Sequence, residues 1–187
     1  MPDDIPVLSD ALFETFGSGS WAFLPATTPE ALAAALDARI TDDRFRLAEN
    51  PSIGDGPGLL VLTAPVNGWV MLLGASETVG AAAAVLSEGI GVFQAMIDVR
   101  LPAMSWSHLE GGAPTRTVSV ELGDDGDLVT RTAGDPLPFE GDGLVLPTSQ
   151  HGYDPFFYPV AILAEHGVTL DVLAEALRRP SVTLTLG

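Results

Sequence analysis

Cysteine is absent from this chain of 187 residues, and so is lysine. The first absence excludes disulfides, thiolate nucleophiles and cysteine-ligated zinc. The second excludes Schiff-base chemistry on a lysine amine and the phosphate-gripping lysine of a P-loop. The 8 basic residues are all arginines, set against 25 aspartates and glutamates, for a formal net charge of -17. With no basic cluster to neutralise phosphates, direct binding of DNA or RNA is disfavoured. Long apolar runs are missing too. Stretches such as Leu59 to Ala64 and Val70 to Leu73 fall far short of the roughly 20 residues that span a bilayer. The opening MPDDIPVLSD is acidic where a signal peptide would be basic, so a soluble, cytoplasmic chain without membrane contact is expected.

What is present is enough apolar material, 47% of the residues, to build a full core within one domain. A field of this negative sign hastens encounter with a cationic protein and repels polyanions. Solubility, a high-salt habitat or a genome that favours arginine codons would account for the same composition.

Along the chain, Ser9 is placed to cap a short helix through Phe16, and Gly17-Ser18-Gly19-Ser20 reads as a flexible joint behind an N-terminal arm, residues 1–19. The remainder, 20–187, reads as one α+β domain. Ser20 to Leu24 suits a short strand. Thr27 or Thr28 followed by Pro29 and Glu30 starts a helix whose Leu32, Leu36 and Ile40 share a face. Residues 44–48 alternate weakly. In LLVLTAPVNGWVMLLG two apolar runs flank Asn67-Gly68, the pair suited to a tight hairpin turn. Both runs are apolar at nearly every position, which predicts strands covered on both faces, with a helix over about 77–88 as part of the cover. From Val92 four short strands follow: VFQAMIDV, AMSWSHLE, TRTVSVEL and DLVTRT. They predict an antiparallel meander with Val118, Val120 and Leu122 on one face. Two C-terminal helices are expected, Pro159 to His166 and Leu170 to Arg179, the second capped by Thr169. SVTLTL closes the chain as an edge strand. The expected fold is therefore α+β, an antiparallel, meander-rich sheet with helices packed on it.

Gly68-Trp69, Leu86-Ser87, Gly91-Val92-Phe93, Trp106, Gly111-Gly112, Arg116 and the run Gly134 to Glu140 together resemble a loose family of small bacterial proteins, many of them actinobacterial, with suspected immunity-protein roles. The resemblance covers the middle half of the chain and rests on glycines, tryptophans and turn prolines. It implies an α+β fold and a protein partner, and it carries over no catalytic residue.

Candidate chemistry is sparse. His108 and Glu110 place an imidazole and a carboxylate on one strand face, as a metal or acid/base pair would need, but Met104 and Trp106 share that face and only two ligands can be named. His151 and Asp154, with Ser149 close by, have the composition of a base, its orienting carboxylate and a nucleophile, without a G-x-S-x-G elbow. His166 suits the end of a short helix. GDGPG at 54–58 precedes a strand, and GASETVG has only part of the dinucleotide-binding spacing. No cofactor and no metal are expected.

The stretch ELGDDGDLVTRTAGDPLPFEGDG, 121–143, is the most singular. It holds seven carboxylates, Glu121, Asp124, Asp125, Asp127, Asp135, Glu140 and Asp142, against one cation, Arg131. Its glycine is too early for an EF-hand calcium loop and the closing glutamate is missing. Asp125-Gly126 fits a turn; the other carboxylates are not needed for one. Either they form a solvated edge that discourages sheet pairing, or they dock a basic protein, with Phe139 among the aromatic anchors alongside Tyr153, Phe156, Phe157 or Tyr158. Three functions stay open on this reading. The first is a non-enzymatic binder of a cationic protein, in the manner of an immunity protein or a DNA mimic. The second is a small hydrolase or metal-dependent enzyme using His108/Glu110 or His151/Asp154. The third is a structural subunit of a larger assembly, with homo-oligomerisation allowed.

Overall fold

A computed structural model of the chain describes residues 10–16, 18–49, 56–101, 103–140 and 158–187. Helices α1 (Asp10–Phe16), α2 (Pro29–Ala35), α3 (Ser76–Leu86), α4 (Tyr158–Glu165) and α5 (Leu170–Arg178) surround one sheet. Its strands are β1 (Ser18–Pro25), β2 (Ala38–Phe45), β3 (Leu59–Leu62), β4 (Trp69–Gly74), β5 (Val92–Asp98), β6 (Ala103–Glu110), β7 (Ala113–Leu122), β8 (Leu128–Ala133) and β9 (Ser181–Leu186). They lie in the order β2-β9-β3-β4-β1-β5-β6-β7-β8, and every pairing is antiparallel. The domain is α+β, as the sequence pattern predicts.

The continuously apolar runs sit at the centre of this sheet because both of their faces are covered. Trp21, Phe23, Val61, Met71 and Leu73 point to one side and pack with Leu12 and Phe16 of α1, Ile162 and Leu163 of α4, and Leu173 and Leu177 of α5. Their neighbours Ala22, Leu24, Leu60, Leu62, Val70 and Leu72 point to the other, under Leu32 of α2 and Val79, Ala82 and Ala83 of α3. A period of two with both phases apolar thus yields a helix layer on each side. The turn between β3 and β4 is the expected one: Asn67 and Gly68 both have positive φ, 48° and 83°, and Val66 bridges Trp69. The four-strand meander β5 to β8 is also as expected, with Val118 and Val120 buried; Leu122, at its end, is exposed.

Three local expectations are corrected. Ser18 to Ser20 of the Gly-Ser stretch are not a flexible joint: they pair with β5, and Ser20 also pairs with Gly74 of β4, while Gly17 lies outside the described residues. Ladder bonds on both sides outweigh the compositional preference for freedom. The helix capped by Thr28, whose hydroxyl accepts from the Ala31 amide at 3.1 Å, ends at Ala35. Asp37 then takes a left-handed φ of 50°, and Ile40 belongs to β2 opposite Leu184. The closing strand is interior, lying between β2 and β3. Its backbone groups are therefore paired on both sides. Ser9 lies outside the described residues.

Among the described residues no helix is long and apolar enough to cross a membrane.

Candidate functional site

The sheet builds one end of the molecule from a row of directly opposed residues. Met71 of β4, Phe23 of β1, Phe93 of β5, His108 of β6 and Arg116 of β7 face one another in register. Trp69, two residues from Met71 and so on the same face, stacks on Phe23 at 4.4 Å between ring centroids. Over this floor come two later segments. His166, just beyond α4, lies 5.0 Å from Trp69 by ring centroid and 6.0 Å from Phe23, and Phe139 lies 6.5 Å from His166. Between floor and cover is a cavity of about 300 Å³, lined by Phe23, Trp69, Phe93, Phe139 and Leu137, with His108, Glu110 and His166 as its polar groups.

Each cover residue has an identifiable anchor. α4 ends in a left-handed Gly167 with φ 76°, the Val168 amide donating to the Leu163 carbonyl and the Gly167 amide to that of Ala164. The Asn67 side-chain amide donates to the Gly167 carbonyl at 2.7 Å, so the hairpin turn holds the loop that carries His166. Phe139 is held by its neighbour. Arg116 and Glu140 form a buried bidentate pair, Nε to Oε1 at 3.0 Å and Nη2 to Oε2 at 2.6 Å. Arg116 also donates to the Gly134 carbonyl at 2.9 Å, and the Leu137 amide donates to Glu140 at 2.9 Å. One arginine on β7 thereby straps residues 134–140, including the 3-10 turn Pro138–Glu140, across the end of the sheet. Tyr158, buried beside them, has its phenol pushed up to about 12, first by burial and then by the charge of Glu140.

His108 is oriented by a bulge. Its β7 partner is Arg116, the next pair is Leu109 with Pro114, and Thr115 is the extra residue. The Thr115 hydroxyl lies 3.1 Å from the His108 carbonyl, to which it donates, and 3.0 Å from His108 Nδ1. A hydroxyl has one hydrogen, so at the second contact its oxygen accepts and Nδ1 carries the proton. With the proton on Nδ1, a ring carrying one proton has its lone pair on Nε2, which lies 3.8 Å from the Glu110 carboxylate. Burial holds His166 below the ordinary imidazole range, Glu165 opposing the shift and His108 adding to it.

The acidic stretch divides. Asp124, Asp125 and Asp127 are exposed at the β7–β8 turn, where Asp125 Oδ1 accepts from the Asp127 amide at 3.2 Å and Gly126 has a φ of 84°. Glu121 is exposed and ion-paired with Arg131. Asp135 is exposed at the other end of β8. Glu140 is not on this surface at all: its charge is taken up by Arg116 inside the protein, so it is unavailable to dock a partner. Phe139 is half-buried in the cavity wall, at the opposite end of the strands from the turn, on the order of 25 Å away at about 3.3 Å per strand residue. The turn carboxylates and Phe139 therefore do not form one surface. Tyr158, a further candidate anchor, is buried. Asp142, Ser149, His151, Tyr153, Asp154, Phe156 and Phe157 lie outside the described residues.

The structure brings together His108 and Glu110, which sequence proximity suggests, and adds His166, which only the fold supplies. Among the described residues no group of three or more histidines, aspartates and glutamates is placed to hold a metal ion. No family model matches the chain, and no curated protein or solved structure is significantly similar to it.

Proposed function

We propose that this protein is a non-enzymatic binder of a basic protein, steered by the carboxylates of the β7–β8 turn. The observation that carries this reading is the distribution of its cations. Arg46, Arg100, Arg116, Arg131 and Arg179 each pair with a carboxylate of the same chain, whereas among the described residues no ion pair reaches Asp124, Asp125 or Asp127. Three exposed carboxylates outside any such pair are thus gathered within four residues at one corner beside the edge strand β8. Such a corner raises the encounter rate with a positive surface and costs little to desolvate at the rim. Binding is favoured over covalent catalysis at His108 and Glu110, because the described residues lining their cavity include no hydroxyl, thiol or amine nucleophile.

Affinity capture from the source lysate tests it, run at low salt and at about 1 M salt, where the Debye length falls to about 3 Å. A stoichiometric basic protein is expected at low salt and is expected to be lost at high salt. It is also expected to be lost from a D124N/D125N/D127N variant, in which asparagine at 125 keeps the turn's hydrogen bond. Equal capture by that variant would sink the reading.

A further inference from the structure

We infer that the cavity between the sheet and His166 is a binding site for a small organic cation: an ammonium or guanidinium head on an apolar body. The head sits between His108 Nε2 and the Glu110 carboxylate, and the body lies against Trp69, Phe93 and Phe139. This site is separate from the acidic turn, at the far end of the strands, and is tested by different variants.

The chemistry of the lining selects the ligand. An anion would meet Glu110 without a compensating cation, since among the described residues no arginine lines the cavity, and would do so on a chain of net charge -17. A wholly apolar guest would bury an imidazole lone pair and crowd a carboxylate while giving neither a hydrogen bond, and buried polar groups left unmet are costly. A cation with N–H donors satisfies both. Nε2 accepts one hydrogen because Thr115 has fixed the proton on Nδ1. Glu110, side chain 63% exposed, stands at the mouth and can accept a second. The aromatic rings add attraction between a positive head and their π faces, and apolar contact for the body. At about 300 Å³ the cavity is at the small end of ligand sites, which suits a compact amine.

Two further features fit an occupied site. A Cβ at Gly91 would come within 3.3 Å of His108 Nε2 and 3.8 Å of Glu110 Oε1, so the glycine leaves open the approach to both acceptors. The hydrogen bond from Asn67 to the Gly167 carbonyl fixes the loop carrying the opposite wall, so the cavity is formed before a ligand arrives. Of the titratable groups lining it, Glu110 favours a cation, and Glu165, next to His166 in the chain, adds negative charge nearby. His108 and His166 permit one only while neutral, and burial favours the neutral form of His166.

The test is titration of the intact chain with benzylammonium, benzylguanidinium, benzyl alcohol and benzoate near neutral pH, followed by calorimetry and by tryptophan fluorescence, to which Trp69 in the cavity wall contributes. Saturable binding of at least one cation is expected, with benzyl alcohol at least tenfold weaker and benzoate without effect. Glu110→Gln, an exposed change that should not disturb folding, is expected to weaken the cation about tenfold or more, and Gly91→Val to abolish it. Gly91→Ala serves as a milder block if the valine variant fails to fold. The D124N/D125N/D127N variant is expected to bind as the parent does, and lowering the pH below the ordinary imidazole range, where the buried His166 takes up its proton, should weaken binding. Benzyl alcohol binding as tightly as both cations, no saturable binding by either cation, or equal losses in Glu110→Gln and the turn variant would each overturn the inference.

Discussion

Replacing Glu140 with glutamine is expected to cost about 3 to 5 kcal/mol of folding stability, measured by urea unfolding, because it leaves the buried Arg116 charge without its counter-ion. The amide keeps the shape of the carboxylate but offers one oxygen where two accept now, and it turns a donor toward the guanidinium. Arg116→Met should cost a similar amount, since it strands Glu140 and also removes the donor to the Gly134 carbonyl. The combination Arg116→Met with Glu140→Leu is expected to lose clearly less than the sum of the two, since neither buried charge then remains. It will still fall short of the parent, because the Leu137 amide and the Gly134 carbonyl keep no partner from these side chains. Single variants losing under about 1 kcal/mol would mean that water reaches the pair and that it does not strap residues 134–140. In each weakened variant the wall supplied by Leu137 and Phe139 should loosen, so loss of amine binding should accompany loss of stability.

That strap explains why the acidic stretch resists reading from composition. Seven carboxylates in one run suggest a uniform charged surface, yet one of them is wholly internal. What selects Glu140 is Arg116, which lies 24 residues earlier and is brought beside the chain leaving β8 by the register of β7 with β8. Nothing local to the run distinguishes it. The hairpin at Asn67-Gly68 and the meander were legible because their signals are local: a turn pair that accepts positive φ, and apolar runs whose length and period match strands. The place of SVTLTL was not, since its neighbours come from residues 38–45 and 59–62, and a period of two is the same at an edge as inside a sheet. The end of α2 was hidden for a related reason. Leu32, Leu36 and Ile40 keep helical spacing, but Ile40 pairs with Leu184 in the sheet, and Asp37 takes the left-handed conformation that ends the helix before it. The candidate site was half legible. His108 and Glu110 are two residues apart on one strand; His166 and Phe139 reach them only through the α4 terminus and the Arg116 strap.

Substituting Gly134 with alanine is expected to rank among the most damaging single changes, at about 3 kcal/mol or more, whereas the same change at Gly126 should cost only about 1 to 2 kcal/mol. Both glycines have nearly the same left-handed backbone, φ 79° and 84°, so conformational strain alone predicts equal costs. Their surroundings separate them. A Cβ at Gly126 meets nothing within 4 Å, while one at Gly134 would lie 1.9 Å from the Thr115 carbonyl oxygen and 3.1 Å from the Arg116 Cα. Those are backbone atoms of β7, and no rotamer change relieves the contact. The chain after β8 would have to lift away from the bulge, pulling the Gly134 carbonyl off Arg116 and disturbing the Thr115 hydroxyl that sets the His108 tautomer. Thermal and urea unfolding of the two variants side by side gives the comparison. The Gly134 variant should additionally show altered nuclear magnetic resonance signals from the His108 ring, which the Gly126 variant should leave unchanged. Equal destabilisation by the two would mean that the close crossing of Gly134 over Thr115 is absent in solution, and with it the physical basis for a fixed Nε2 acceptor in the cavity.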